Sequence, residues 1–186
     1  MVGNKPNFTD MDILRAFILM EERMGRQDLC ARLGLGEGTV RTILESLKEK
    51  SLIGSTNKGH VFTQKGLDAR KEIFSRISAP QEVKLHFYRQ YKRVALVCRP
   101  GRKLSTGYAL RDHAVRNGAE GAIILRYEKG KGLVLDQDVG YTFEYLEDRF
   151  ELGHNDLLII TFAGSLRDAE NSALAVAEKI EGKRFV

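Results

Sequence analysis

A basic loop followed by small polar residues has a clear capacity for binding an anion. It combines two cations, two hydroxyl side chains, a glycine and a third cation one helical turn later: Arg102, Lys103, Ser105, Thr106, Gly107 and Arg111. Ser105 or Thr106 is predicted to cap a helix that runs to Asn117. Backbone N–H groups, the positive end of the helix dipole and the cations would then converge on a phosphate or carboxylate. The alternative is an ordinary capped helix with surface cations.

Positive charge is concentrated around this loop. Residues 84–111 carry eight basic side chains and no acidic ones, whereas residues 1–83 have a net charge of +2 and residues 112–186 a net charge of −5. The block indicates a surface for an anionic partner, unless its cations pair with the acidic C-terminal segment. It also contains four aromatic residues that could stack on unpaired bases, so RNA binding is an alternative: Phe87, Tyr88, Tyr91 and Tyr108.

A second candidate site lies in the first 80 residues, which predict four helices and one hairpin. Thr9 is predicted to cap the first helix, Gly25 to end it, and Cys30 to lie in the core of the second. The predicted elements after the first helix are a helix over residues 27–33, a tight turn over 34–36, a helix from 37, a hairpin over 52–62 and a helix over 64–77.

The predicted helix that begins at residue 37 has two distinct sides. Four apolar residues recur at helical spacing and predict a buried face: Val40, Ile43, Leu44 and Leu47. Polar residues alternate with them and predict a face that points to solvent: Thr39, Arg41, Thr42, Glu45 and Lys48.

The order of helix, helix, tight turn, helix, hairpin and helix resembles the winged helix-turn-helix family over residues 9–78. The segments RQDLCARLGLGEGTVRTILESLKEKSLI and GHVFTQKG carry the resemblance. It implies that the third helix enters the DNA major groove, where Thr39, Arg41 and Thr42 would contact bases. Phosphate contacts are then expected from Arg26, Lys48, Lys58 and His60. A winged helix used only for protein contacts is the alternative.

Residues 81–186 have a different pattern of predicted helices and strands. They are predicted to form a second domain after a first domain of residues 1–80. Their pattern is β-α-β-β-α-β-α, which is typical of an α+β sandwich, with a ferredoxin-like arrangement as one candidate. The alanine-rich final helix, with Leu174, Val176, Ala177 and Ile180, is a candidate dimer interface, unless it simply covers the sheet.

The whole chain also resembles an uncharacterised archaeal family that joins an N-terminal winged helix to a C-terminal domain of unknown function. The segments LRDHAVRNGAEGAIIL (residues 110–125) and NDLLIITFA (residues 155–163) carry this resemblance. It implies no known activity and no known ligand.

Other classes of protein fit the sequence poorly. The longest uncharged apolar run covers residues 157–163, whereas a membrane span needs about 20 residues. Two cysteines, Cys30 and Cys98, are too few for a disulfide scaffold and favour a cytoplasmic setting. The four histidines have no metal-ligand spacing, and no catalytic triad can be recognised. We therefore expect no cofactor and no metal.

These observations favour a DNA-binding transcriptional regulator that carries out no chemical reaction. Its C-terminal domain would sense a small anion, dimerise, or do both. Because the N-terminal domain is nearly neutral, one copy would bind DNA weakly, so we expect a homodimer. An enzyme acting on a phosphorylated metabolite, with an accessory winged helix, is a further alternative.

Overall fold

The computed structural model describes residues 8–104, 107–135 and 143–186. The chain divides into two compact units. The first consists of residues 1–73 with Phe185–Val186, and the second of residues 74–184.

The N-terminal unit has the element order of a winged helix. A three-stranded antiparallel sheet, in the order β1-β3-β2, accompanies its helices. The elements are α1 (Asp10–Leu19), β1 (Arg23–Met24), α2 (Arg26–Leu33), α3 (Glu37–Glu49), β2 (Ile53–Thr56), β3 (Gly59–Phe62) and α4 (Gln64–Arg76), the last of which continues into the second unit.

The first helix begins as predicted and ends earlier than predicted. The backbone N–H of Thr9 donates to Asp12 Oδ2 at 2.8 Å, so a capping box starts α1. The helix ends at Leu19, because Met20 adopts an extended conformation that leads the chain into β1. The prediction that Gly25 ends this helix was wrong, since Gly25 is the N-cap of α2.

The buried face predicted for α3 is confirmed. Val40, Ile43, Leu44 and Leu47 are all buried. Burying four such side chains is what fixes the rotation of the helix, because each contributes about 1.5–3 kcal/mol. The prediction for Cys30 was wrong: it is only half-buried, because the apolar face of the short α2 is satisfied by Leu29 and Leu33.

A close backbone approach joins α4 to the segment that follows α3. A Cβ atom added at Gly66 would overlap the carbonyl oxygen of Leu52. Thr63 stabilises the same approach of the two backbone segments. Its hydroxyl donates to the Ser51 carbonyl at 2.6 Å and accepts from the Gly66 N–H at 3.0 Å. The glycine is therefore required by packing.

The C-terminal unit contains one five-stranded antiparallel sheet in the order β4-β5-β8-β6-β7. Its elements are β4 (Gln81–Glu82), β5 (Lys92–Cys98), α5 (Tyr108–Arg116), β6 (Gly121–Glu128), β7 (Gly132–Val134), α6 (Glu144–Glu147), β8 (Leu157–Ala163) and α7 (Leu166–Glu181). The predicted α+β class is confirmed. The ferredoxin-like candidate was wrong in strand order, because β8 inserts between β5 and β6 and leaves β7 at the edge.

Both faces of this sheet are covered. Helices α5 and α7 pack against each other and against β5, β6 and β8 on one face. The other face carries a core that joins the sheet to α6 and to residues 83–91, the segment between β4 and β5 that we call the strap. This core includes Leu85, Phe143, Leu146 and Phe150. All seven residues of the central strand β8 are buried as a result.

The final helix packs on the opposite face of the sheet, against β5 and β8. Leu174, Val176 and Ala177 are fully buried, and Ile180 is 8% exposed. The prediction that they form a dimer interface was wrong, because they cover the sheet within one chain, as the alternative held.

Replacing Gly66 with alanine tests the approach of α4 to Leu52. We expect Gly66→Ala to lower the free energy of unfolding by about 1–3 kcal/mol, because the added methyl group meets a backbone atom that cannot move cheaply. Gly38→Ala in α3 is the control, since nothing lies within 4 Å of its added Cβ. It should stabilise the protein by about 0.4–1 kcal/mol. Chemical denaturation measures both, and equal effects would contradict the packing account.

Candidate functional site

The outer side of α3 presents a row of polar side chains. Arg41, Thr42, Glu45 and Lys48 are exposed, and Thr39 is half-buried. All five lie outside the buried stripe, as the helical spacing predicted. The helix therefore offers one continuous surface to a partner.

Two predicted contact residues already have partners on this surface. The Thr42 hydroxyl donates to the Gly38 carbonyl at 3.2 Å, one turn back along α3. Arg26 forms an ion pair with Glu37 at 2.6 Å, in which both side chains are substantially exposed. An exposed pair of this kind is worth about 0–1 kcal/mol, so it restrains Arg26 only weakly.

The β2–β3 hairpin ends in a tight turn that exposes Lys58. Thr56 pairs with Gly59, so only two residues form the turn. The Thr56 hydroxyl donates to the Gly59 carbonyl at 2.9 Å and accepts from the Lys58 N–H at 3.2 Å. Gly59 has a φ of 125°, a conformation that side chains disfavour. Lys58 is thus held at the tip of a rigid turn.

Two of the predicted phosphate-contacting residues, Arg26 and Lys48, act electrostatically on a third, His60. His60 lies on β3, with its Nδ1 3.2 Å from Ser55 Oγ. Partial burial lowers the pKa of His60, and the positive charges of Lys48 and Arg26 lower it further. The charges of both residues thus reach His60 and favour its neutral form.

Two arginines that brace α1 were missed by sequence reasoning. Arg15 is buried, and its guanidinium donates to the Leu33 carbonyl at 2.9 Å. Arg70 donates to the carbonyls of Phe17 and Ile18, each at 3.0 Å, and its guanidinium lies 4.9 Å from the centre of the Phe62 ring. Arg15 stands alone in the apolar run ILRAFIL, which was the available signal.

The predicted anion loop lies partly outside the described residues, which exclude Ser105 and Thr106. Arg102, Lys103 and Arg111 are exposed. None of these three side chains forms a hydrogen bond or ion pair with another residue that the structure describes. The prediction that Ser105 or Thr106 caps the helix was wrong, because α5 begins at Tyr108 and Gly107 is its N-cap.

A buried arginine that sequence reasoning did not select lies behind this loop. Arg126 is 6% exposed and donates to the Leu104 carbonyl at 3.2 Å. Its guanidinium also forms an ion pair with Glu128 at 3.1 Å, which helps to hold the pKa of that carboxyl below its ordinary value. Arg126 therefore supports the end of the loop at Leu104.

The four aromatic residues considered for RNA stacking have different environments. Phe87 packs against the core, edge to face with Phe143. Tyr88 and Tyr91 both stack on Phe162, with ring centroids 4.3 Å and 5.9 Å away. Tyr108 is 62% exposed. Three of the four rings thus already pack against other rings.

Among residues 8–104, 107–135 and 143–186, no cluster of three or more histidine, cysteine or carboxylate side chains has the geometry to hold a metal ion. None of the helices in that part of the chain combines the length and apolarity needed to cross a bilayer.

The two cysteines differ in environment. Cys98 is buried as predicted, and its burial, with the charges of Glu181 and Asp156, raises its pKa to about 12. Burial also raises the pKa of Cys30, and the Glu37 carboxylate adds to the effect. Since the thiolate is the nucleophile, both thiols are poorly reactive at neutral pH.

Alkylation of the native protein measures the difference in reactivity between Cys30 and Cys98. At pH 8 we expect iodoacetamide to modify Cys30 slowly and Cys98 only after unfolding in guanidinium. Raising the pH to 9 should accelerate the reaction of Cys30, because more thiolate forms, and leave Cys98 unmodified. Mass spectrometry of peptides identifies the site, and rapid native modification of Cys98 would contradict its assignment.

Comparison with known proteins places the chain in a family. Residues 9–68 match the family described as PH0730-like, N-terminal domain, and residues 88–180 match a domain of unknown function, DUF4443. The structure is similar to that of the hypothetical protein PH0730 from Pyrococcus horikoshii OT3, at 30% identity and a TM-score of 0.78. The match covers 97% of this chain and 96% of that one. No curated protein matches the chain. The chain therefore belongs to the PH0730-like family of two-domain archaeal proteins, to which its sequence already pointed.

Proposed function

We propose that this chain is a DNA-binding transcriptional regulator whose α3 reads the major groove. The observation that carries the proposal is the row of exposed polar side chains on α3. The β2–β3 hairpin follows this helix, and the element order is that of a winged helix. An α-helix fits the major groove of B-DNA, and its polar side chains then reach base edges.

The exposed residues suit the two tasks of such an interface. The Arg41 guanidinium can donate two hydrogen bonds to one guanine, and Thr39 and Thr42 offer methyl groups to thymine. The Thr42 hydroxyl also keeps acceptor capacity while it donates to Gly38. Phosphate contacts come from Lys58 at the hairpin tip and from Arg26, Lys48 and His60. These contacts supply affinity without sequence information.

The charge balance of the N-terminal unit favours a dimer on DNA. Glu37 and Glu45 lie on the same exposed surface and repel phosphate. Two copies would double the number of neutralised phosphates, on which the affinity depends steeply. The C-terminal unit would dimerise, sense a small anion, or do both, and the proposal assigns it no chemical step.

Genomic footprinting tests the proposal, since a regulator should give discrete peaks at promoters. An RNA-binding protein or an enzyme with an accessory winged helix would give none. A duplex taken from a peak then serves for measurements with purified protein.

Substitutions on α3 and on the hairpin should have different effects on that duplex. Arg41→Ala should cost about 1–3 kcal/mol of binding and relax the preference at one base pair. Lys58→Ala should weaken binding to all sequences alike and lower the salt slope by about one unit. Lys71→Ala, an exposed cation on α4, is the control of equal charge and should change neither quantity. Equal binding by wild type and Arg41→Ala on every duplex would exclude base reading.

Sedimentation tests the expected dimer. At tens of micromolar we expect a homodimer, or a monomer that pairs when the duplex is added, because one near-neutral unit binds too weakly alone. A complex of one chain per duplex at saturation would contradict this expectation.

A further inference from the structure

The C-terminal unit contains a pocket of about 380 Å³ whose polar lining is basic. It is lined by Lys84, Leu85, His86, Arg89 and Arg93. Among the described residues, no carboxylate lines it. The volume falls within the roughly 300–1,000 Å³ that is usual for small-molecule sites. Neither the α3 surface nor the loop of Arg102 and Lys103 contributes to this pocket.

The strap that forms the pocket is held firmly from its inner side. Val83 and Leu85 are buried in the core, and Phe87 packs edge to face with Phe143. The strap then turns at Tyr88, which has a φ of 51° and stacks on Phe162. The intervening side chains of the strap are consequently placed towards the outside before any ligand arrives.

Two exposed side chains of the strap form one wall. Lys84 and His86 are both exposed and alternate with the buried residues. The His86 ring packs against the Tyr145 ring, with centroids 5.4 Å apart. The nearest carboxylate in sequence, Glu82, lies 3.8 Å from the Lys92 ammonium instead.

Two guanidinium groups form the rest of the polar lining. Arg89 Nε donates to the His86 carbonyl at 3.1 Å, which orients the planar group without using its terminal nitrogens. Arg93 Nη1 donates to the Leu85 carbonyl at 3.3 Å. Arg93 Nε is buried and has no hydrogen-bond partner within the described part of the chain. A buried donor without an acceptor is unfavourable, so Arg93 is the residue of this lining whose hydrogen bonding the described part of the chain leaves incomplete.

We propose that this pocket binds the phosphate group of a small phosphorylated molecule. Arginine forks match phosphate oxygens, and Lys84 adds a further positive charge. Without a ligand, the three cations repel one another around one cavity, so a dianion is favoured over a neutral ligand. The five lining residues come from one short segment, residues 84–93, which suits a small molecule better than the extended backbone of a nucleic acid. This site does not depend on whether the N-terminal unit binds DNA.

Binding of pyrophosphate to the full-length protein tests the site. We expect saturable binding in isothermal titration calorimetry at constant ionic strength. The melting temperature should also rise with the logarithm of the pyrophosphate concentration above the dissociation constant. Citrate, which carries comparable charge on carboxylates, should bind more weakly. Tighter binding of citrate would overturn the assignment to phosphate.

Substitutions locate the site. Arg89→Gln and Arg93→Gln should each weaken pyrophosphate binding by about tenfold or more, since each removes a charged hydrogen-bond donor. Arg89 is exposed, so its substitution tests the site even if Arg93→Gln destabilises the fold. The control is Arg102→Gln with Lys103→Gln, which removes two exposed cations of the same charged block and should leave binding unchanged.

Three further results would overturn the proposal. One is the absence of saturable pyrophosphate binding at millimolar concentration, even if Arg89→Gln and Arg93→Gln impair DNA binding. Another is a loss of pyrophosphate binding in the control variant as large as that in Arg89→Gln. The third is wild-type affinity for pyrophosphate in both Arg89→Gln and Arg93→Gln.

Discussion

The hydrogen bond from the buried Arg15 guanidinium to the Leu33 carbonyl fixes the arrangement on which the N-terminal unit depends. Leu33 is the last residue of α2, and Gly34 follows it in the left-handed conformation with a φ of 63°. A cation at a helix C-terminus is favourable, and burying one without partners would be costly. Arg15 therefore ties α1 to the turn that leads into α3. The direction in which α3 presents Arg41 and Lys48 follows from this tie and from the four buried residues beneath them.

The C-terminal unit is organised around the central strand β8. Its neighbours β5 and β6 pair with it along their length, and both faces of the sheet are covered. The buried Thr161 hydroxyl donates to the Ala169 carbonyl at 2.6 Å, which joins the strand to α7. With the apolar residues of α7 buried in this way, the edges and loops of the sheet are among the surfaces left for partners in the described part of the unit. The basic strap between β4 and β5 and the loop before α5 both belong to this set, and both derive from the charged block of residues 84–111.

Patterns of neighbouring residues predicted well those features that depend on residues close together in the chain. The spacing of Val40, Ile43, Leu44 and Leu47 predicted the orientation of α3, because one buried stripe decides it. Arg15 was missed because a charged residue is expected at the surface, and its partner lies 18 residues away. The strand order of the second sheet and the pocket beside Arg93 depend on contacts between distant segments, which no local pattern encodes. Strand β1 was missed because two residues carry no periodicity.

The most direct test of the central claim is an NMR titration of the full-length protein, labelled with nitrogen-15, with a duplex recovered by footprinting. If α3 reads DNA, the largest amide shifts should fall on residues 37–48 and on the turn at Asn57 and Lys58. Residues 84–111 should then change little. Shifts confined to residues 84–111, with α3 unperturbed, would contradict the account and assign nucleic-acid binding to the C-terminal unit.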